Sequence, residues 1–124
     1  MSETKPYLLT PLERDGYLHV IVVAPSIDYD ISMAYMAEMV ASAREAKHTR
    51  ILLERDIPRH LDDATTFAVA RDSTELLRGV KVACLNKYVE NEASLRFAAT
   101  VATNRGAQYE YFISRSKAEA WLLA

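Results

Sequence analysis

The chain has 124 residues, half of them hydrophobic, and its 15 basic and 17 acidic side chains leave a formal net charge of −2. That length suits one domain, 1–124, able to bury roughly two-thirds of its unfolded surface in a single core, and the apolar fraction argues against disorder. The interspersed charge argues against a nucleic-acid surface, no apolar run approaches the ~20 residues that span a bilayer, and the lone Cys84 has no partner for an internal disulfide. The start, MSETKPY, does not resemble a charged-then-apolar leader, and a cytoplasmic location is the expectation.

Residues 1–4 read as a frayed tail and Lys5–Glu13 as a first strand. Pro6 and Pro11 donate nothing to a ladder, which places that strand at a sheet edge. Asp15-Gly16 supplies the positive φ angles of a tight turn, so the edge strand folds back antiparallel to Tyr17–Ala24. This second strand closes on Val20-Ile21-Val22-Val23-Ala24. A run with no polar face predicts a strand inside a sheet covered on both sides. Pro25 ends it, and Asp28 or Asp30 caps the helix that follows. Met36, Met39, Val40 and Ala43 fall at helical spacing and form the buried stripe of that helix, which stops near Lys47-His48.

Arg50–Glu54 reads as a short buried strand cored by Ile51, Leu52 and Leu53, followed by a polar connection, Arg55–Asp63. A second helix runs from about Ala64 to Arg78 with Phe67, Ala70 or Arg71, Thr74 and Leu77 on one face. Gly79 takes the left-handed position past its end, and Asp72 with Glu75 forms a capping-box pattern that would break the helix near Asp72. Val80–Leu85 is the fourth strand, with Val80, Val82 and Cys84 on one face. The spacing predicts a third helix over about Glu92–Arg105 that buries Phe97, Ala98, Val101 and Ala102. Ala107–Ile113 alternates Ala107, Tyr109, Tyr111 and Ile113 against Gln108, Glu110 and Phe112, a strand pattern. Ser116 and Glu119 form a capping box for a terminal helix carrying Ala118, Trp121 and Leu122 inward. The order is ββαβαβαβα: an α/β fold with a mostly parallel sheet, an antiparallel N-terminal edge strand and packed helices.

That order resembles the SpoIIAA-like branch of the STAS-type domains. The stretch Arg96–Leu123 carries the likeness, through Asn104-Arg105-Gly106 at a helix end, the aromatic strand, and Ala118, Ala120, Trp121 and Leu122 in the closing helix. The resemblance covers essentially the whole chain and implies a STAS-like fold. The best-known members of that family are anti-sigma-factor antagonists, in which a serine of a DSSG-like motif after the third strand is phosphorylated and controls binding to a partner kinase. The matching stretch here, Glu54–Thr66 (ERDIPRHLDDATT), has no serine and offers only the hydroxyls of Thr65 and Thr66, so a phosphorylation switch is not supported. Related domains resemble CRAL-TRIO-type lipid-binding modules.

Ligands of open α/β sheets favour the carboxyl ends of the strands. Those ends carry Ser26, Asp28 and Asp30, then Arg55, Asp56, Arg59, His60, Asp62 and Asp63, then Asn86, Lys87 and Tyr88, then Ser114, Arg115 and Ser116. Arg55, Arg59 and Lys87 could hold an anion; the alternative is that all are solvated loop and capping residues. His60, Asp62 and Asp63 match no established metal spacing, and one of the aspartates is needed as a helix cap, so no metal site is expected. His19 reads as a packed strand residue, and His48 as a helix-end residue favoured by the dipole. Cys84, on an apolar strand face, reads as an inert thiol.

Met33, Met36 and Met39 cannot all face one way on a helix, so one or two lie at the edge of the core near Tyr29 and Tyr35. Methionine and tyrosine at such an edge suit contact surfaces and apolar pockets. Two functions follow. The first is a non-enzymatic regulatory or protein-interaction module, self-associating as a homodimer, whose surface for a partner or ligand includes Tyr29, Met33, Tyr35, Met36, Arg55, Arg59, His60 and Lys87. The second is a binder of a small hydrophobic, lipid-like ligand in a pocket lined by Met36, Met39, Phe67 or Phe97. No cofactor motif is present and no acid, base and nucleophile are assembled, so an enzyme is not expected.

Overall fold

The structure, a computed structural model, describes residues 5–124, so the expected tail at 1–4 lies outside the described residues. Its elements in order are β1 (Leu8–Arg14), β2 (Tyr17–Val23), α1 (Tyr29–Glu45), β3 (Arg50–Asp56), α2 (Asp63–Ser73) and β4 (Lys81–Asn86). A 3-10 turn (Val89–Asn91) then leads into α3 (Glu92–Asn104), β5 (Gln108–Tyr111) and α4 (Arg115–Leu123). The five strands lie side by side in sequence order, β1-β2-β3-β4-β5. β1 pairs antiparallel with β2 through the hairpin at Gly16, whose φ is +88°, and the other pairs are parallel.

This order decides where the helices go. Right-handed crossovers that always step in one direction place their helices on one face of the sheet. Tyr35, Met36, Met39 and Val40 of α1 and Leu95, Ala99 and Ala102 of α3 accordingly share a core with Leu18, Val20, Ile51, Leu53 and Val82. Among the described residues the opposite face is covered by α4 alone, whose Ala118 and Leu122 pack on Tyr17, Leu52 and Ala83. Cover on that face is partial. β2 is buried on both faces only over its first half; Ile21 is half-buried and Val23 is 40% exposed, because α4 does not reach them.

Capping follows local chemistry. Asp28 accepts from the Ile31 amide to start α1, and Asp62 accepts from the Thr65 amide to start α2, both at 2.7 Å. α1 ends with Lys47 in the left-handed region, φ +63°, a position that glycine usually takes. α2 ends at Ser73, close to the break foreseen at Asp72, and an irregular turn carries the chain to Gly79.

Several expectations need correction. β1 starts at Leu8 rather than Lys5, and β5 stops at Tyr111, leaving Ile113 exposed. Ser114, not Ser116, caps α4 by accepting from the Lys117 amide, while Glu119 is taken by the Tyr17 hydroxyl at 2.6 Å. Ala70, Val101 and Ala102 are buried as foreseen, but the faces of α2 and α3 turn the two expected phenylalanines outward. Thr66, Ala70 and Ser73 are buried on α2, and Leu95, Ala99, Val101 and Ala102 on α3, whereas Phe67 and Phe97 face outward at 37% and 39% exposure. The two helices pack on each other through small side chains, and the larger rings are displaced to the rim. Arg71 and Arg105 cover the Phe67 ring at 5.8 and 5.5 Å from its centroid.

Candidate functional site

β3 alternates side chains across the sheet, so Ile51, Leu53 and Arg55 point to the face that α1, α2 and α3 cover. Arg55 was expected to open a polar loop; it is instead a strand residue, 5% exposed. A strand in mid-sheet with helices above it leaves the guanidinium nowhere to reach water along its own chain. Arg55 Nε donates to the Tyr35 hydroxyl at 3.1 Å. Among the described residues its other guanidinium nitrogens meet no acceptor, and no carboxylate lies within ion-pair distance.

Arg55 forms one wall of a pocket of about 60 Å³ between the sheet and the three helices. α1 contributes Ser32, Tyr35 and Met36; α2 contributes Thr66, Val69, Ala70 and Ser73; α3 contributes Ser94, Leu95, Ala98 and Ala102. Tyr109 of β5 and His60 and Leu61 of the loop after β3 complete most of the wall. Among the described residues no aspartate or glutamate lines it. Ser32 is buried, and among the described residues its hydroxyl makes no hydrogen bond. Thr66 and Ser73 instead donate back to helix carbonyls, Asp62 O at 2.8 Å and Ala70 O at 3.3 Å.

The loop over the pocket is tied down by Asn91, a buried residue whose amide donates to the carbonyls of Ile57 at 3.1 Å and Arg59 at 3.3 Å. Arg55 is accompanied by groups that stay neutral. Burial pushes the Cys84 thiol up and the Tyr109 hydroxyl well above its ordinary range, so neither supplies an anion near neutral pH. Cys84 is fully enclosed beside them, a thiol without access to solvent.

Of the eight surface residues named from the sequence, Tyr35, Met36, Arg55 and His60 meet at the pocket, and Tyr29, Met33, Arg59 and Lys87 do not. Tyr29 donates to Asp72 at 2.6 Å; that bond and the Arg71 guanidinium hold the Asp72 carboxyl down at about 2. Met33 is half-buried at the edge of α1, and Arg59 is exposed. Lys87 turns to Asp56 at 3.6 Å, so the three cations expected to converge on an anion are dispersed. Met39 is sealed against the sheet, and with Phe67 and Phe97 facing out, only Met36 of the four foreseen lining residues is in the pocket. Asp62 is spent on its cap and His60 Nδ1 lies 2.9 Å from the Leu61 carbonyl. Among the described residues no three His, Cys, Asp or Glu side chains cluster as metal ligands. The sequence points to the Thr66 hydroxyl but not to those of Ser32, Ser73 and Ser94, because Ser inside helices carries no periodic signal of its own.

Across the sheet, beneath α4, His19 is buried between Arg14 and Glu54. Arg14 Nε donates to His19 Nδ1 at 3.3 Å, which leaves the proton on Nε2, 2.9 Å from Glu54 Oε1. Burial holds this imidazole below its ordinary pKa despite the carboxylate. His48 pairs with Glu13 at the far end of the hairpin.

No protein-family model and no curated protein sequence matches the chain. The fold does have a solved counterpart. It is similar to the crystal structure of an uncharacterized protein of the DUF3478 family with a SpoIIAA-like fold from Shewanella loihica PV-4. The TM-score is 0.54 at 15% identity, over 98% of each chain. The architecture described above is a SpoIIAA-like α/β fold. Among the described residues no helix is long and apolar enough to cross a membrane.

Proposed function

We propose that the protein is a non-enzymatic binding module whose working part is the pocket under α1, α2 and α3, and that the pocket takes a small molecule with an apolar body. The pocket itself carries this reading: an apolar hollow with few convergent polar groups is the usual form of a ligand site. Its volume narrows the lipid-like class expected from the sequence. At about 60 Å³ the pocket lies far below the roughly 300–1,000 Å³ of drug-sized ligand sites, which suits a short-chain compound rather than a long acyl chain. The absence of a carboxylate from the lining and the enclosed, protonated thiol of Cys84 favour binding over catalysis.

A second reading, the self-associating interaction module, is favoured by the bare half of the sheet. Leu8 and Val23 pair directly across β1 and β2 at 64% and 40% exposure, beside the half-buried Ile21, and a second copy would cover them. Native mass spectrometry of the protein as purified from cells, with light scattering, tests both. A retained small mass released on denaturation supports the pocket. A dimer abolished by Leu8→Lys and Val23→Lys supports self-association, and a ligand-free monomer that binds no short-chain compound refutes both.

A further inference from the structure

We infer that the ligand carries a single negative charge on a carboxylate, seated against Arg55, with a short apolar body directed between Met36, Val69 and Ala98; this rests on the pocket being a ligand site.

Charge balance is the first argument. Arginine stays protonated in proteins, and a buried guanidinium is ordinarily matched by an acid. Here one is 5% exposed, at the wall of a pocket, with a neutral hydroxyl as its one hydrogen-bond partner among the described residues. One cation balances one monoanion. A phosphate dianion would need a second positive charge, and among the described residues the lining holds no other arginine and no lysine.

Hydrogen-bond polarity is the second argument. Tyr35 accepts from Arg55 through its oxygen, which leaves its own O–H proton to donate. Ser32 lies three residues earlier on the same helix face, with its hydroxyl also uncommitted among the described residues. The guanidinium and these hydroxyls offer donors, and a carboxylate is purely an acceptor with the planar shape that arginine matches. Size is the third argument, since a pocket of about 60 Å³, far below the roughly 300–1,000 Å³ of drug-sized sites, fits a short-chain acid.

The test uses the whole protein and three probes: butanoate, butanamide and inorganic phosphate, each titrated by NMR or calorimetry. Butanoate and butanamide share size and shape and differ in charge. The expected result is butanoate at least tenfold tighter than butanamide, with phosphate weaker than butanoate. In Arg55→Met the preference for butanoate collapses to about equal binding. Ser32→Asp, which places an internal carboxylate beside Arg55, is expected to abolish butanoate binding while the protein stays folded by circular dichroism. Equal binding of acid and amide to the natural protein overturns the carboxylate assignment and leaves the pocket reading standing. Phosphate binding tighter than butanoate overturns it too. Failure of butanoate and butanamide alike, in a folded protein, overturns the pocket reading with it.

Discussion

Beneath α4, the buried ring of His19 lies between Arg14 and Glu54, and Glu119 accepts from Tyr17. Beneath α1, α2 and α3, buried Arg55 reaches one neutral hydroxyl. The two faces of one sheet thus handle buried polarity in opposite ways. On the α4 face each such group has a counterpart from the chain itself, and the network belongs to the structure. On the helical face Arg55 has no charged counterpart among the described residues, which is a cost to the folded state. That cost sits at a pocket wall, and the proposed ligand would offset it.

The comparison can be broken most severely through its two cores. Met39→Ala on the helical face and Leu122→Ala on the α4 face, both fully buried, should each lose ~2–5 kcal/mol in urea unfolding. A loss below about 1 kcal/mol for Leu122→Ala would mean that α4 is an accessory and not the second layer. The sign of the charge effect comes next. Arg55→Met should raise the stability of the ligand-free protein by about 1 kcal/mol or more, since an unpaired buried charge is exchanged for an apolar side chain. Glu54→Gln should lower it, and matching signs would erase the distinction between the faces.

Phe97→Ala sharpens the rotation of α3. With the ring 39% exposed, the loss should be about 1 kcal/mol, against ~3–5 kcal/mol for a fully enclosed aromatic. The smallest effect concerns acid. His19 has a folded pKa below its unfolded value near 6.5, so the unfolded chain takes up the proton first as pH falls. Its contribution is fully present above that value and is lost as pH drops toward the folded pKa. Urea midpoints between about pH 5 and 8 should fall on the acid side, and His19→Gln should flatten that limb.

Most of the architecture was legible because local rules coincide with the global one. The proline-marked edge strand, the Asp28 and Asp62 caps and the positive-φ glycines each encode their own position, whereas the apolar close of β2 suggests more cover than its Ile21 and Val23 receive. The pocket was less legible for a physical reason. Arg55 follows Ile51 and Leu53 at strand period, yet its charge marked it for a loop, although Leu53 and Arg55 necessarily share a face. The faces of α2 and α3 were misread because alanine, serine and threonine pack between close helices without standing out in a hydropathy pattern. Phe67 and Phe97 stood out instead and lie outward. Glu119 was assigned to a local capping box, but its partner is Tyr17, on a strand from the other end of the chain.

The sequential strand order also has a meaning in time. Among the described residues every strand pairs only with its neighbours in sequence, so each pairing can form as soon as one crossover has closed. A chain emerging from the ribosome can build this sheet from its N-terminus onward. The pocket, however, needs Ala98, Ala102 and Tyr109 from the last third of the chain. On the proposed reading, competence to bind would therefore arrive late, and a ligand seated there would select the completed fold over every shorter intermediate.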